Sequence, residues 1–168
     1  MPGRANEFLK LHNHREVRRI LEAFAEGADL SWFDKASITV SKKWLGLAQH
    51  HLRVARLLAS PSRNWRSVIS RCYYAVYTSS RAIRYFVDGS VKPDAEDHKR
   101  VGDLPRDFPN QSAWSNFANE LRRDRNLADY EPWGHVRRSL TYEPADALEK
   151  AAQFVRESRN YLRRRGVL

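Results

Sequence analysis

Arginine, asparagine, aspartate and tyrosine crowd into one stretch, Arg122-Arg123-Asp124-Arg125-Asn126-Leu127-Ala128-Asp129-Tyr130, which Glu131-Pro132 closes. A guanidinium can fork onto a phosphate, a phenol can donate to it or stack on a base, and a carboxylate can orient either. At about 100° per residue, Trp114, Phe117, Ala118, Leu121 and Ala128 fall on one apolar helical stripe. Arg125 lies near the middle of that stripe, and Asp129 sits one turn on. A cation facing a core needs a counter-charge, so Asp129 is its expected partner. Asn126 and Tyr130 share the adjoining face at the same i,i+4 spacing. Two readings follow: a buried ion pair that sets helix register, or a ligand site at a helix end.

The element that must carry these groups is a helix expected over Ser112 to Glu131, capped by Ser112 and stopped by Pro132-Trp133-Gly134. Before it, a helix over about Trp65 to Asp88, with Gly89 as its stop, is the most apolar. Val68, Cys72, Ala75, Val76, Ser79, Ala82, Ile83 and Phe86 line one face, and Ile69, Tyr73 and Tyr77 a second. That helix is expected at the centre, covered on more than one side. An earlier helix is expected from Ser37 or Ser41 to about Ala59, with Trp44, Ala48, Leu52, Ala55 and Leu58 as its core stripe and His50 and His51 exposed. A turn at Ser60–Asn64 implies that it runs antiparallel to the next helix. The last helix is expected from Pro144, with Leu148, Ala151, Ala152, Val155, Ser158 and Leu162 as its seam and arginines crowding its end.

At the N-terminus, Val17, Ile20, Leu21 and Phe24 mark a short amphipathic helix that Gly27 ends, and residues 28–36 read as an irregular link. Residues 90–111 read as a long connection with one short helix between Asp94 and Asp103. Its acids Asp94, Glu96 and Asp97 are expected to form a solvated cap rather than, with His98, a divalent-ion site. The expectation is therefore an all-α protein: an up-and-down bundle of about four main helices over residues 37–168, with an extra helix in an extension, residues 1–36.

The whole-chain properties narrow the function classes. The chain has 168 residues and a formal net charge of +10, which points to a polyanionic partner. Cys72 is the only cysteine, so no intramolecular disulfide or cysteine-based zinc site is possible, and a small buried side chain is its expected role. No apolar run is long enough for a membrane span. A cytoplasmic protein without cofactor, metal or membrane partner is expected.

Two stretches together resemble the HEPN superfamily. Ser70-Arg71-Cys72-Tyr73-Tyr74-Ala75-Val76-Tyr77, followed by Arg81-Ala82, is similar to its central helix; Arg125-Asn126-Leu127-Ala128-Asp129-Tyr130 is similar to the R-x-x-A-D-Y ending of one branch. The resemblance covers roughly residues 38–165. It implies a helical bundle that commonly dimerises, and in many members a metal-independent RNase of defence or toxin–antitoxin systems, often beside a nucleotidyltransferase. The family's catalytic pattern is Arg-x4-6-His at the end of this helix. Its arginine carries over onto Arg125 and the polar residue after it onto Asn126. Its histidine does not: Tyr130 stands at the x4 spacing, and His135 lies beyond it, after Pro132 and Gly134. A phenol with a pKa of about 10 is a poor general base.

The resulting expectation is an RNA- or nucleotide-binding module that lacks the family's catalytic histidine. Arg71, Tyr74, Arg122, Arg123, Arg125, Asn126, Asp129, Tyr130, Arg137 and Arg138 are its candidate binding residues, with Tyr73, Tyr77 and Trp133 available to stack on bases. The alternatives are an active endoribonuclease toxin, with Arg125 and either Tyr130 or His135 as catalytic groups, and a protein-interaction subunit that meets a nucleotidyltransferase or an acidic antitoxin. A homodimer is expected in each case.

Overall fold

The structure, a computed structural model, describes residues 9, 12–24, 27–59, 64–89 and 95–168. The turn expected at residues 60–63, and Asp94 of the acidic group, lie outside the described residues. Five α-helices are described: α1 (His14–Phe24), α2 (Ser31–Leu58), α3 (Trp65–Asp88), α4 (Gln111–Tyr130) and α5 (Pro144–Arg164). Two 3-10 segments, Ala95–Arg100 and Gly134–Ser139, flank α4. Among the described residues there is no strand, and no helix is long and apolar enough to cross a membrane. The protein is an all-α bundle of four main helices with an additional N-terminal helix.

Helix α3 is the centre because most of its circumference is buried. Both expected flanks are buried, from Val68, Ile69 and Cys72 through Tyr73, Val76 and Tyr77 to Ile83, and it packs against α2, α4 and α5. Helices α2 and α5 also touch each other, which closes one side of the bundle. Gly89 ends α3 in the left-handed region, φ 87°, where its N–H returns to Tyr85 O at 3.0 Å. A β-carbon there would come within 2.3 Å of Asn13 Oδ1, so this glycine also admits the N-terminal segment. His14 docks on the same corner: its backbone N–H donates to Gly89 O at 2.8 Å and its Nε2 to Tyr85 O at 2.9 Å.

Helix α2 starts earlier than its serines suggest, and this corrects the irregular link expected over residues 28–36. The Asp29 carboxylate accepts both the Ser31 N–H at 2.9 Å and the Ser31 hydroxyl at 3.0 Å, which starts the helix at Ser31. Ser37 and Ser41 are not caps, because their hydroxyls donate to the carbonyls of Asp34 and Ala82, both at 2.8 Å. Phe33 is buried with Leu9, Val40 and Tyr85 in a small second core, whereas Trp32 stays exposed. The division drawn between residues 36 and 37 falls inside this continuous helix.

The connection to α4 is pinned by close approach at Gly102. Its carbonyl accepts from Ser115 Oγ at 2.6 Å, and a β-carbon would meet Asn119 Nδ2 at 2.5 Å. Helix α4 then begins at Gln111, after Asn110 in the left-handed region at φ 51°. One residue of its apolar stripe was not foreseen. Asp124 is fully buried, and its carboxylate accepts the backbone N–H groups of Thr141 and Tyr142 at 2.9 and 3.0 Å. That side chain ties the lead-in of α5 to α4.

Candidate functional site

Arg125 leaves α4 toward α3 and meets three tyrosines. Its Nη2 donates to Tyr74 Oη at 2.8 Å and its Nη1 to Tyr130 Oη at 3.2 Å. Its guanidinium carbon lies 5.7, 5.4 and 5.1 Å from the ring centres of Tyr73, Tyr74 and Tyr130, within cation–π range. Asn126 Oδ1 accepts from Nη1 at 3.1 Å. The expected ion pair is present, with Nε 2.8 Å from Asp129 Oδ2, and Asp129 in turn accepts from Ser70 Oγ at 3.4 Å. The Arg125 side chain is 14 % exposed, so it sits at the mouth of the core rather than within it. Burial opposes its charge, but Tyr74, Asp129 and Tyr130 outweigh that and hold its pKa above the usual arginine value. Its buried Nε has no hydrogen-bond partner among the described residues, the Asp129 contact being an ion pair only.

A histidine completes the group, and it comes from outside both motifs. His98, on the first 3-10 segment, places Nδ1 2.6 Å from Tyr73 Oη and stacks on Tyr77 at 4.1 Å between ring centres. It also faces the Tyr74 ring edge-on at 6.3 Å, and its carbonyl accepts from Arg122 Nη1 at 3.4 Å. Thus His98 and Arg125 stand on the same pair of tyrosines. Burial, and then the charge of Arg125, lower the His98 pKa, so the imidazole is neutral near pH 7. Burial pushes the Tyr73 phenol up, so it keeps its proton. Two tautomers are then open: a phenol that donates to Nδ1 leaves Nε2–H as a donor, and an Nδ1–H that donates to the phenol leaves Nε2 as a base.

Beneath His98 lies the reason its segment is held here. Asp97 was expected in a solvated cap, but it is fully buried and bound on all sides. Arg84 Nη1 and Nη2 donate to its two oxygens at 2.7 and 3.0 Å, Tyr77 Oη donates at 2.9 Å, and Arg81 Nε lies 3.3 Å away. Burial alone would raise the Asp97 pKa, yet the bonds from Arg84 and Tyr77 and the charge of Arg81 hold it below the usual value. The 3-10 segment is therefore bolted to α3 through a carboxylate. The pattern Arg81-x-x-Arg84 beside the core faces of the central helix was the available signal, since two arginines near a core face need a carboxylate partner.

The other expected residues divide into two groups. Tyr74 and Arg122 join the cluster directly, and Arg71 borders it through His51, whose Nδ1 lies 3.3 Å from Arg71 Nη1 and whose ring lies 5.5 Å from Tyr74. His51 is thus half-buried rather than exposed, and burial and Arg71 lower its pKa. Arg123, Tyr130 and Trp133 are exposed at the rim. Arg137 is occupied by Glu143, 3.1 Å away, and no contact joins Arg137, Arg138 or His135 to Arg125 among the described residues. Arg66 was missed. It clamps the end of α4 by donating to Ala128 O at 2.7 Å, Glu131 O at 2.6 Å and Trp133 O at 3.3 Å. Cys72 is fully buried, with its thiol pushed up to about 12 by burial, and is no nucleophile.

No family model, curated protein or solved structure matches the chain.

Proposed function

We propose that the protein is a HEPN-type RNA-binding module in which the Arg125 cluster holds a backbone phosphate. The observation that carries the reading is the Arg125 guanidinium at the end of a helix, 14 % exposed and set against Tyr73, Tyr74 and Tyr130, the first two of which also meet the His98 imidazole. Such a group is fixed in orientation, partly dehydrated and still reachable, which is what a phosphate clamp needs. Tyr130, 69 % exposed, and Trp133, 63 % exposed, flank it as stacking surfaces for unpaired bases. A titration of single-stranded RNA at low and moderate salt tests this. Arg125→Ala is expected to weaken binding about tenfold or more, and absence of binding even at low salt overturns it.

His98 favours a second reading, metal-independent RNA cleavage. With Nδ1–H donating to Tyr73, His98 Nε2 would take the proton of a ribose 2′-hydroxyl. That oxygen would attack the phosphorus, and Arg125 would stabilise the charged phosphorane. The P–O5′ bond would break, and the imidazolium would return its proton to the leaving 5′ oxygen. Cleavage of total RNA by the purified protein that disappears in Arg125→Ala supports this, and cleavage that survives removes Arg125 from the reaction. The setting that the resemblance implies is a defence or toxin–antitoxin system with a nucleotidyltransferase or antitoxin partner. A pull-down from the native host checks the partner, and light scattering checks the homodimer.

A further inference from the structure

We infer that the groove between α2 and α5 is a second nucleic-acid site, a track for the phosphodiester backbone separate from the Arg125 cluster. The groove encloses about 280 Å³ and is lined by Gln49, Leu52 and Arg56 of α2 and by Val155, Arg156 and Arg159 of α5. Gln49, Leu52 and Arg56 share one face of α2 at i, i+3 and i+7, and His51, which borders the Arg125 cluster, is turned about 100° from Leu52. The two sites therefore use different sides of the bundle.

Three observations select the ligand. First, Arg56, Arg156 and Arg159 are all exposed, and none of their side chains has an ion-pair or hydrogen-bond partner among the described residues. Exposed arginines elsewhere, such as Arg19 and Arg106, also lack a partner among the described residues, but here three of them line one groove from two helices. Second, no acid lines the groove. Glu157 is turned about 100° from Arg156 around α5, and Glu149 is bonded by Gln153 at 3.2 Å. Third, the apolar floor is sealed, with Leu52 6 % and Val155 5 % exposed. A protein partner needs an aromatic or aliphatic anchor seated in an open pocket, whereas this groove sets guanidinium forks and the Gln49 amide around a floor closed at Leu52 and Val155, with only the small Ala152 half-buried beside them. Forked, unpaired cations without an apolar socket suit a repeating phosphate backbone. Arg163, exposed one turn beyond Arg159, continues the row.

The test compares three full-length variants with the parent protein in titrations of a labelled 20-nucleotide oligouridine and a DNA duplex of the same length, across a salt series. Circular dichroism and melting confirm that each variant is folded. Arg56→Gln/Arg156→Gln/Arg159→Gln is expected to weaken oligouridine binding about tenfold or more and to lower the slope of log affinity against log salt by about 2. The control Arg19→Gln/Lys43→Gln/Arg106→Gln removes equal charge from exposed positions outside the groove and is expected to change binding less than threefold. Arg125→Gln reports on the other site alone. If it has no effect while the groove variant does, the proposed Arg125 clamp fails and the groove stands. The duplex arm says whether the track takes any backbone or only single strands. Unchanged affinity and slope in the groove variant overturn the inference. An equal loss in the control overturns it too, as does groove-dependent binding of polyglutamate with none of either nucleic acid, which would assign the groove to an acidic protein.

Discussion

A single side chain, Arg125, belongs both to the packing of the bundle and to its proposed chemistry. Its stem crosses the apolar stripe of α4 while its head is gathered by Tyr74, Tyr130 and Asp129 at the edge of solvent. His98 differs, because its ring packs flat on Tyr77 and binds Tyr73 through Nδ1, while the charge of Arg125 helps to keep it neutral. The two residues are therefore expected to separate in their effects. Arg125→Ala should reduce both RNA binding and any cleavage. His98→Gln keeps a polar planar group against Tyr77 and should leave RNA affinity within about threefold while abolishing cleavage, read by gel assay on the same preparation. Loss of RNA affinity in His98→Gln equal to that in Arg125→Ala would make His98 a binding group, with Nε2–H as its donor.

Elements are held in place here by buried carboxylates as much as by apolar faces. Asp97 fixes the 3-10 segment on α3, and Asp124 fixes the α5 lead-in on α4. Because Arg84 is only 1 % exposed, Asp97→Ala would leave an uncompensated charge in the core. We expect a loss of on the order of 3–5 kcal/mol in chemical denaturation. The double variant Arg84→Met/Asp97→Leu should recover part of that loss, since an apolar pair of similar volume removes the two most deeply buried charges together, while Arg81, 11 % exposed, loses its Asp97 contact. It should not restore RNA cleavage if His98 depends on the Asp97 anchor for its position.

Acid acts on the molecule as a whole. His14, His51 and His98 all have pKa values below the usual 6.5, and for each the first cause is burial. Between the unfolded value and the lower folded ones, the unfolded chain binds more protons, so stability falls as pH drops. The contribution is fully present above about pH 6.5 and is lost as pH falls toward the folded values. Melting temperature is expected to decline from pH 7 to pH 5, and His14→Gln, away from the RNA site, should shallow that decline. A flat profile over this window would mean that the three imidazoles titrate alike in the folded and unfolded chain.

What was legible in the sequence depended on distance along the chain. Helix periodicity, the Gly89 stop and Pro144 at the first turn are local signals, so the all-α class, the limits of α3, the start of α5 and the central place of α3 could be read directly. The Arg125–Asp129 pair was legible for the same reason, because i,i+4 neighbours share a helix face. The start of α2 was not, because Ser37 and Ser41 both have capping chemistry and only their hydrogen-bond partners show that each spends its hydroxyl on a carbonyl inside the helix packing. The fate of Asp97 and His98 was further out of reach. An acidic, proline-flanked segment satisfies a solvated cap as readily as a buried bridge. Only docking onto Arg81, Arg84 and Tyr77, 13 to 20 residues away, supplies the partners that make burial of a carboxylate tolerable. By itself the chain determined its helices and the place of Arg125; the tertiary structure decided that a histidine stands beside it, because that depends on which charges meet across helices.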